Sequence, residues 1–139
     1  MSLTEEERKI IVSYRLEKAN RMIMQIKDFI PLKYWDTIAN RLYYAAYYVV
    51  TALLIQNGIQ VQTHQGVKRM FGYHFVKTGI IDSKYASLYS RLFSMRQTGD
   101  YDDNFDLTES DVLPYVMPTE ELVQHITSML KKIWLTMYK

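Results

Sequence analysis

The sequence predicts an all-α fold, an up-and-down bundle of about five helices, and three observations predict it. Apolar residues recur at steps of three and four, cap-forming residues stand where those runs begin, and no segment alternates apolar and polar residues as a half-buried strand would. The fourteen residues from Leu42 to Ile55 are apolar or aromatic on every side, so that helix must be wrapped by others.

Thr4 with Glu7 forms a capping-box pattern, and Val12, Leu16, Ala19, Ile23, Ile26 and Ile30 follow at helical spacing. One long amphipathic helix is expected, ending near Pro31. The second helix is expected from about Tyr34 to Asn57, antiparallel to the first and nearest the centre, with Gly58 supplying a left-handed cap. Thr63 caps a shorter third helix bearing Val67, Met70, Phe71 and Phe75, which Gly79 stops. Asp82 or Ser83 caps a fourth, with Tyr85, Leu88, Leu92 and Met95 buried, and the pattern breaks at Gly99. Thr108 starts a short turn of helix before Pro114, and Thr119 is expected to cap the last helix, with Leu122, Ile126, Met129, Ile133 and Met137 facing inward.

A chain of 139 residues is long enough for a single domain with one core. Seventeen Lys and Arg against fifteen Asp and Glu leave a net charge of +2, too little for indiscriminate attraction to nucleic acid, so any basic site must be local. Without cysteine there are neither disulfides nor thiolate metal sites. The start, Met1 to Glu7, is acidic and lacks an apolar stretch of signal-peptide length, and the Leu42–Ile55 run falls short of the ~18 residues that suggest a membrane crossing. A cytoplasmic protein with no membrane association is expected.

Three groups of residues suggest chemistry. On a helix Arg41, Tyr44 and Tyr48 fall within about 60° of one another, so a guanidinium and two phenols share a face that suits a phosphate or a nucleotide. The plainer reading is core tyrosines with Arg41 paired to a carboxylate. Arg96, Asp100 and Tyr101 lie within one and a half turns at the end of the fourth helix, either as an anion or RNA-backbone contact or as an ordinary i, i+4 pair. His64 stands at the start of the third helix, where the positive helix end favours anions and lowers imidazole basicity; the alternative is a structural hydrogen bond.

His74 and His125 have no companion at ligand spacing, so no zinc site is expected. The acidic stretch from Asp100 to Asp111 approaches a calcium-loop frame but has Phe105 where glycine is needed and aspartate at the last position. No phosphate-binding glycine loop and no nucleophile elbow is present.

Together these segments resemble the HEPN superfamily (higher eukaryotes and prokaryotes nucleotide-binding domain), in particular its small stand-alone prokaryotic members. Those proteins carry Arg-x-Tyr-Tyr-Ala-x-Phe-His on a helix, then a glycine, a Thr-His-x-Gly element, paired phenylalanines with Thr-Gly, and Arg-x-x-x-Asp-Tyr. The matches here are Arg41 to Tyr48, Gly58, Thr63-His64-Gln65-Gly66, Phe71 with Phe75, Thr78-Gly79, and Arg96 through Asp100-Tyr101, covering about residues 5 to 135.

The resemblance implies one HEPN-like helical domain over residues 1–139, a homodimer without cofactor, and a minimal nucleotidyltransferase as partner in a toxin–antitoxin pair. Several such proteins are metal-independent ribonucleases that use an arginine followed, after four to six residues, by a histidine. Here Arg96 matches the arginine, but Tyr101 follows the four intervening residues and no histidine lies between His74 and His125; Tyr48 likewise replaces a histidine many relatives carry. A tyrosine with a reference pKa of ~10 is a poor general base near neutral pH.

The expected function is therefore binding of a nucleotide, RNA or a nucleotidyltransferase partner, without efficient nuclease activity and without a role for DNA. Arg41, Tyr44, Tyr48, His64, Arg96, Asp100 and Tyr101 would line the cleft. The alternatives are an endoribonuclease toxin with Arg96, His64 and Tyr101 as catalytic candidates, acceptance of a nucleotidyl group by Tyr101, and a structural homodimeric module. An aromatic content of 14% supports dimerisation, since the excess can cover an interface.

Overall fold

Thr4 has the extended backbone of an N-cap; its hydroxyl accepts the Glu7 N–H at 3.1 Å and the Glu7 carboxylate accepts the Thr4 N–H at 3.0 Å. The predicted capping box is formed and opens α1 (Glu5–Phe29), which buries Val12, Leu16, Ala19, Ile23 and Ile26. The computed structural model describes residues 3–101 and 106–137, the side chains of residues 99–101 excepted.

Pro31 ends α1 by way of a 3-10 turn at Ile30–Leu32, and α2 (Trp35–Gln56) returns antiparallel beside it. Gly58 takes φ 74°, its N–H reaching the Ile55 carbonyl at 3.0 Å while the Ile59 N–H reaches that of Leu54 at 2.9 Å. This double closure satisfies the last carbonyls of α2 and requires the left-handed residue that glycine supplies. Around α2 pack α1 and the later helices that begin at His64, Ser83 and Val116, so it is the central helix, as its all-round apolar character predicts. By length α2 is enough to cross a bilayer, yet 67% of its most apolar window is buried inside the bundle.

The third helix, α3 (His64–Phe71), is capped by Thr63, whose hydroxyl accepts the Gly66 N–H at 2.9 Å. It widens into a π turn at Gly72–Val76, closed by the Lys77 N–H on the Gly72 carbonyl, before Gly79 stops it with φ 82°. Asp82 caps α4 (Ser83–Tyr101), accepting the Lys84 N–H at 2.8 Å. That helix does not break at Gly99 as the sequence suggests but continues to Tyr101, since one interior glycine costs only about 1 kcal/mol relative to alanine. Of the expected stripe it buries Leu88, Leu92 and Met95 and leaves Tyr85 half-buried, and it buries Tyr89 and Phe93 as well.

Thr108 and Asp111 form a second capping box at the short α5 (Glu109–Val112), which leads through Leu113–Tyr115 into α6 (Val116–Met137). Thr119 is not the cap of α6. The helix starts at Val116, and Thr119 lies fully buried inside it with its hydroxyl donating to the Tyr115 carbonyl at 2.7 Å. Pro118 is tolerated because first-turn N–H groups have no partner within the helix. The buried stripe runs through Leu122, Ile126 and Leu130, steps of four that rotate away from Met129 and Ile133, which are half-buried, and leave Met137 exposed rather than inward. Trp134 Nε1 donates to Gln56 Oε1 at 3.0 Å and Lys27 pairs with Glu120 at 3.2 Å, tying α6 to α2 and α1. The Leu107 N–H reaches Asp36 at 3.0 Å, bringing the chain after α4 back to the start of α2.

Candidate functional site

Four tyrosines stand on α2 as two adjacent pairs one turn apart, Tyr43 and Tyr44 beside α3 and α4, and Tyr47 and Tyr48 extending the group toward α1. Their neighbouring ring centroids lie 5.1 to 5.9 Å apart, in tilted and edge-to-face arrangements. Such pairs add stability beyond their buried area, so the group is a rigid aromatic platform. Tyr43 is fully buried and the other three are half-exposed.

His64, the first residue of α3, sits against this platform, 4.7 Å from the Tyr47 ring and 6.1 Å from the Tyr44 ring. Its Nδ1 is 2.6 Å from the Tyr43 hydroxyl. Burial first, then the positive charge of Arg96, pushes the imidazole below its usual basicity. The causes are desolvation and a cation from another helix, rather than the helix end expected from the sequence. Burial also pushes the Tyr43 phenol up to about 12 and raises that of Tyr89, which stands next to it on α4. The Tyr89 hydroxyl is buried near that of Tyr43 without a hydrogen bond of good geometry.

Arg96 lies one α4 face along from Tyr89 and Phe93, with its guanidinium carbon 5.3 Å from the centroids of both Tyr43 and Tyr44. At the other end of the platform Arg15 and Lys18 of α1 stand 5.8 and 5.1 Å over the Tyr48 ring. Between α1 and the platform opens a hollow of about 520 Å³, lined by Tyr14, Arg15, Lys18, the outer three tyrosines and His64. Among the described residues no carboxylate lines it. Cations over aromatic faces beside an imidazole can hold a phosphate while leaving rings available for stacking.

The structure brings together Tyr44, Tyr48, His64 and Arg96 of the predicted set. Arg41 follows the same α2 face, but its guanidinium turns to α1, with Nε donating to Gln25 at 2.9 Å and Nη1 to Asn40 at 2.6 Å. Amide oxygens, rather than the carboxylate the plainer reading expected, are its acceptors. The side chains of Asp100 and Tyr101 lie outside the described residues.

Arg15, Lys18, Tyr43 and Tyr47 were missed from the sequence. Arg15 and Lys18 share a face of α1 at i, i+3, and an antiparallel pairing of α1 with α2 sets them beside Tyr48, a signal available only once the register is known. Away from this site His125 stacks on Tyr85 at 5.4 Å and His74 meets Tyr73 edge-on. Among the described residues no three His, Cys, Asp or Glu side chains gather where they could hold a metal.

A model of the HEPN domain matches residues 12–134 of the chain. A protein of Thermotoga maritima named UPF0332 protein is 29% identical over 127 residues, 91% of this chain and 96% of the relative. Two proteins of Methanocaldococcus jannaschii, each named "putative toxin", are 32% identical over 72% of this chain and 73% of the relative, and 29% identical over 69% and 65%.

Proposed function

The chain belongs to the HEPN domain family, and on that premise we propose that the tyrosine platform with His64 and Arg96 binds single-stranded RNA. Arg96 takes a phosphate through its guanidinium fork, and bases stack on the half-exposed rings of Tyr44, Tyr47 and Tyr48. Tyr14, Arg15 and Lys18 extend the groove along α1. The observation that carries this reading is the Arg96 guanidinium 5.3 Å from the rings of Tyr43 and Tyr44, the latter also lining, with His64, a hollow that no carboxylate lines among the described residues. A second copy of the chain facing the groove would complete a cleft, and an associated nucleotidyltransferase is the other partner class.

Fluorescence anisotropy with a labelled oligouridylate tests the reading. Arg96→Ala should weaken binding about 10- to 100-fold and Arg96→Lys should recover only part of it, because a point charge replaces a fork. Binding unchanged in Arg96→Ala would overturn it. Light scattering at micromolar concentration checks the dimer, which a monomer would contradict.

The second reading is an endoribonuclease, favoured by His64 and Arg96 standing against the same two rings, Tyr43 and Tyr44, and by the toxin names of two relatives. A histidine pushed toward its neutral form can accept a proton at neutral pH, whereas the Tyr43 phenol at about 12 cannot. Total RNA incubated with the protein and with its His64→Ala and Arg96→Ala variants decides: cleavage lost in both supports the enzyme, and RNA left intact by the unaltered protein eliminates it.

A further inference from the structure

Arg15 and Tyr47 are shared by the groove and by a second hollow, of about 320 Å³, between α1 and the loop that follows Gly58. Nothing in the RNA reading uses this second space. Its walls are apolar at Leu54 and Val67 and polar at Arg8, Arg15, Thr51 and Gln62, and among the described residues no carboxylate lines it.

Arg8 and Arg15 are seven residues apart on α1, two turns, so both guanidinium groups project from one helix face. Arg15 Nη1 donates to Thr51 Oγ1 at 3.2 Å, which anchors one edge of its fork. Arg8 Nε is buried and has no hydrogen-bond partner among the described residues. Among those residues, neither arginine pairs with a carboxylate. A buried guanidinium N–H without an acceptor is unfavourable, and an anion that accepts from it removes that cost.

We propose that this second hollow is a phosphate site, in which Arg8 Nε and the Arg15 fork donate to the oxygens of one phosphodiester and the apolar wall of Leu54 and Val67 takes the attached sugar or base. As Arg15 and Tyr47 stand on the ridge between the two spaces, a strand lying on the tyrosine platform passes directly into it. The identity of the ligand as RNA rests on the reading of the groove given above; the phosphate chemistry rests on Arg8 and Arg15 alone.

Two measurements separate these. Inorganic phosphate titrated into isotope-labelled protein should shift the amide resonances of residues 58–62, equally in Arg96→Ala and not in Arg8→Gln, a substitution that keeps helix propensity. Labelled oligouridylate should bind Arg8→Gln about tenfold more weakly than the unaltered protein, with a salt slope smaller by about 0.7. Absence of phosphate shifts around the loop, or oligouridylate bound equally well by Arg8→Gln, would overturn the site. Phosphate shifts that persist in a protein binding no oligouridylate would support the site while removing the RNA reading.

Discussion

The Tyr43 hydroxyl and His64 Nδ1 stand 2.6 Å apart, joining the central helix to the first residue of α3 through the one fully buried phenol of the platform. The phenol, held protonated by burial, is a ready donor, and we expect it to donate to Nδ1, which leaves the imidazole proton on Nε2. Nitrogen chemical shifts of His64 should therefore report the Nε2–H tautomer near neutral pH, and Tyr43→Phe should release that preference. The same substitution should lower stability by about 1 kcal/mol, the usual net worth of such a bond. A tautomer distribution unchanged by Tyr43→Phe would show that the ring is oriented by something else.

Tyr89 gives the opposite expectation. Its hydroxyl is buried without a well-formed hydrogen bond, while its ring packs 5.8 Å from both Tyr43 and Phe71. Tyr89→Phe keeps the ring contacts and removes a polar atom that burial has stripped of water, so unfolding should become harder by about 1 kcal/mol. A thermal melt lowered by this change would mean that Tyr89 is bonded to Tyr43 and belongs to the His64 network.

The two substitutions also mark where sequence reasoning reaches and where it stops. Helices are readable because caps and periodicity are local: Thr4 with Glu7, Gly58, Thr63 and Asp82 each act within a turn of themselves. Thr119 misleads for the same reason, since a hydroxyl that bonds back to the Tyr115 carbonyl inside a helix looks identical to a cap. The site was half legible. Tyr44, Tyr48, His64 and Arg96 meet as their spacing suggests, whereas Arg15 and Lys18 enter only through the register of α1 against α2, and Arg41 leaves through Gln25, a residue sixteen positions away.

His64 should make stability depend on pH. Its basicity is lowered by burial and by Arg96, so the folded protein binds a proton there less readily than the unfolded chain, whose histidine titrates near 6.5. Stability from this group is then complete above the unfolded value and declines as pH falls through it toward the lower folded value. Denaturant midpoints measured from about pH 7.5 to about pH 5.5 should fall more steeply in the unaltered protein than in His64→Gln. Parallel curves would show that His64 titrates alike in both states.

Gly66 and Gly58 should respond differently to alanine, for separate physical reasons. At Gly58 a Cβ meets nothing within 4 Å, and the penalty comes from the backbone at φ 74°, about 1 kcal/mol or somewhat more. Gly66 has helical backbone, but its Cβ would stand 2.5 Å from Val61 Cγ1 and 2.8 Å from the Thr63 hydroxyl that caps α3. Relief needs both the Val61 side chain and the capping Thr63 hydroxyl to give way, or the loop to move, and either change disturbs the first turn of α3, which begins with His64. Gly66→Ala should therefore disturb the His64 resonances and weaken oligouridylate binding, while Gly58→Ala lowers the thermal midpoint and leaves those resonances nearly in place. If Gly66→Ala left both His64 and binding unchanged, the close approach of Val61 would not be what holds the imidazole against the tyrosines.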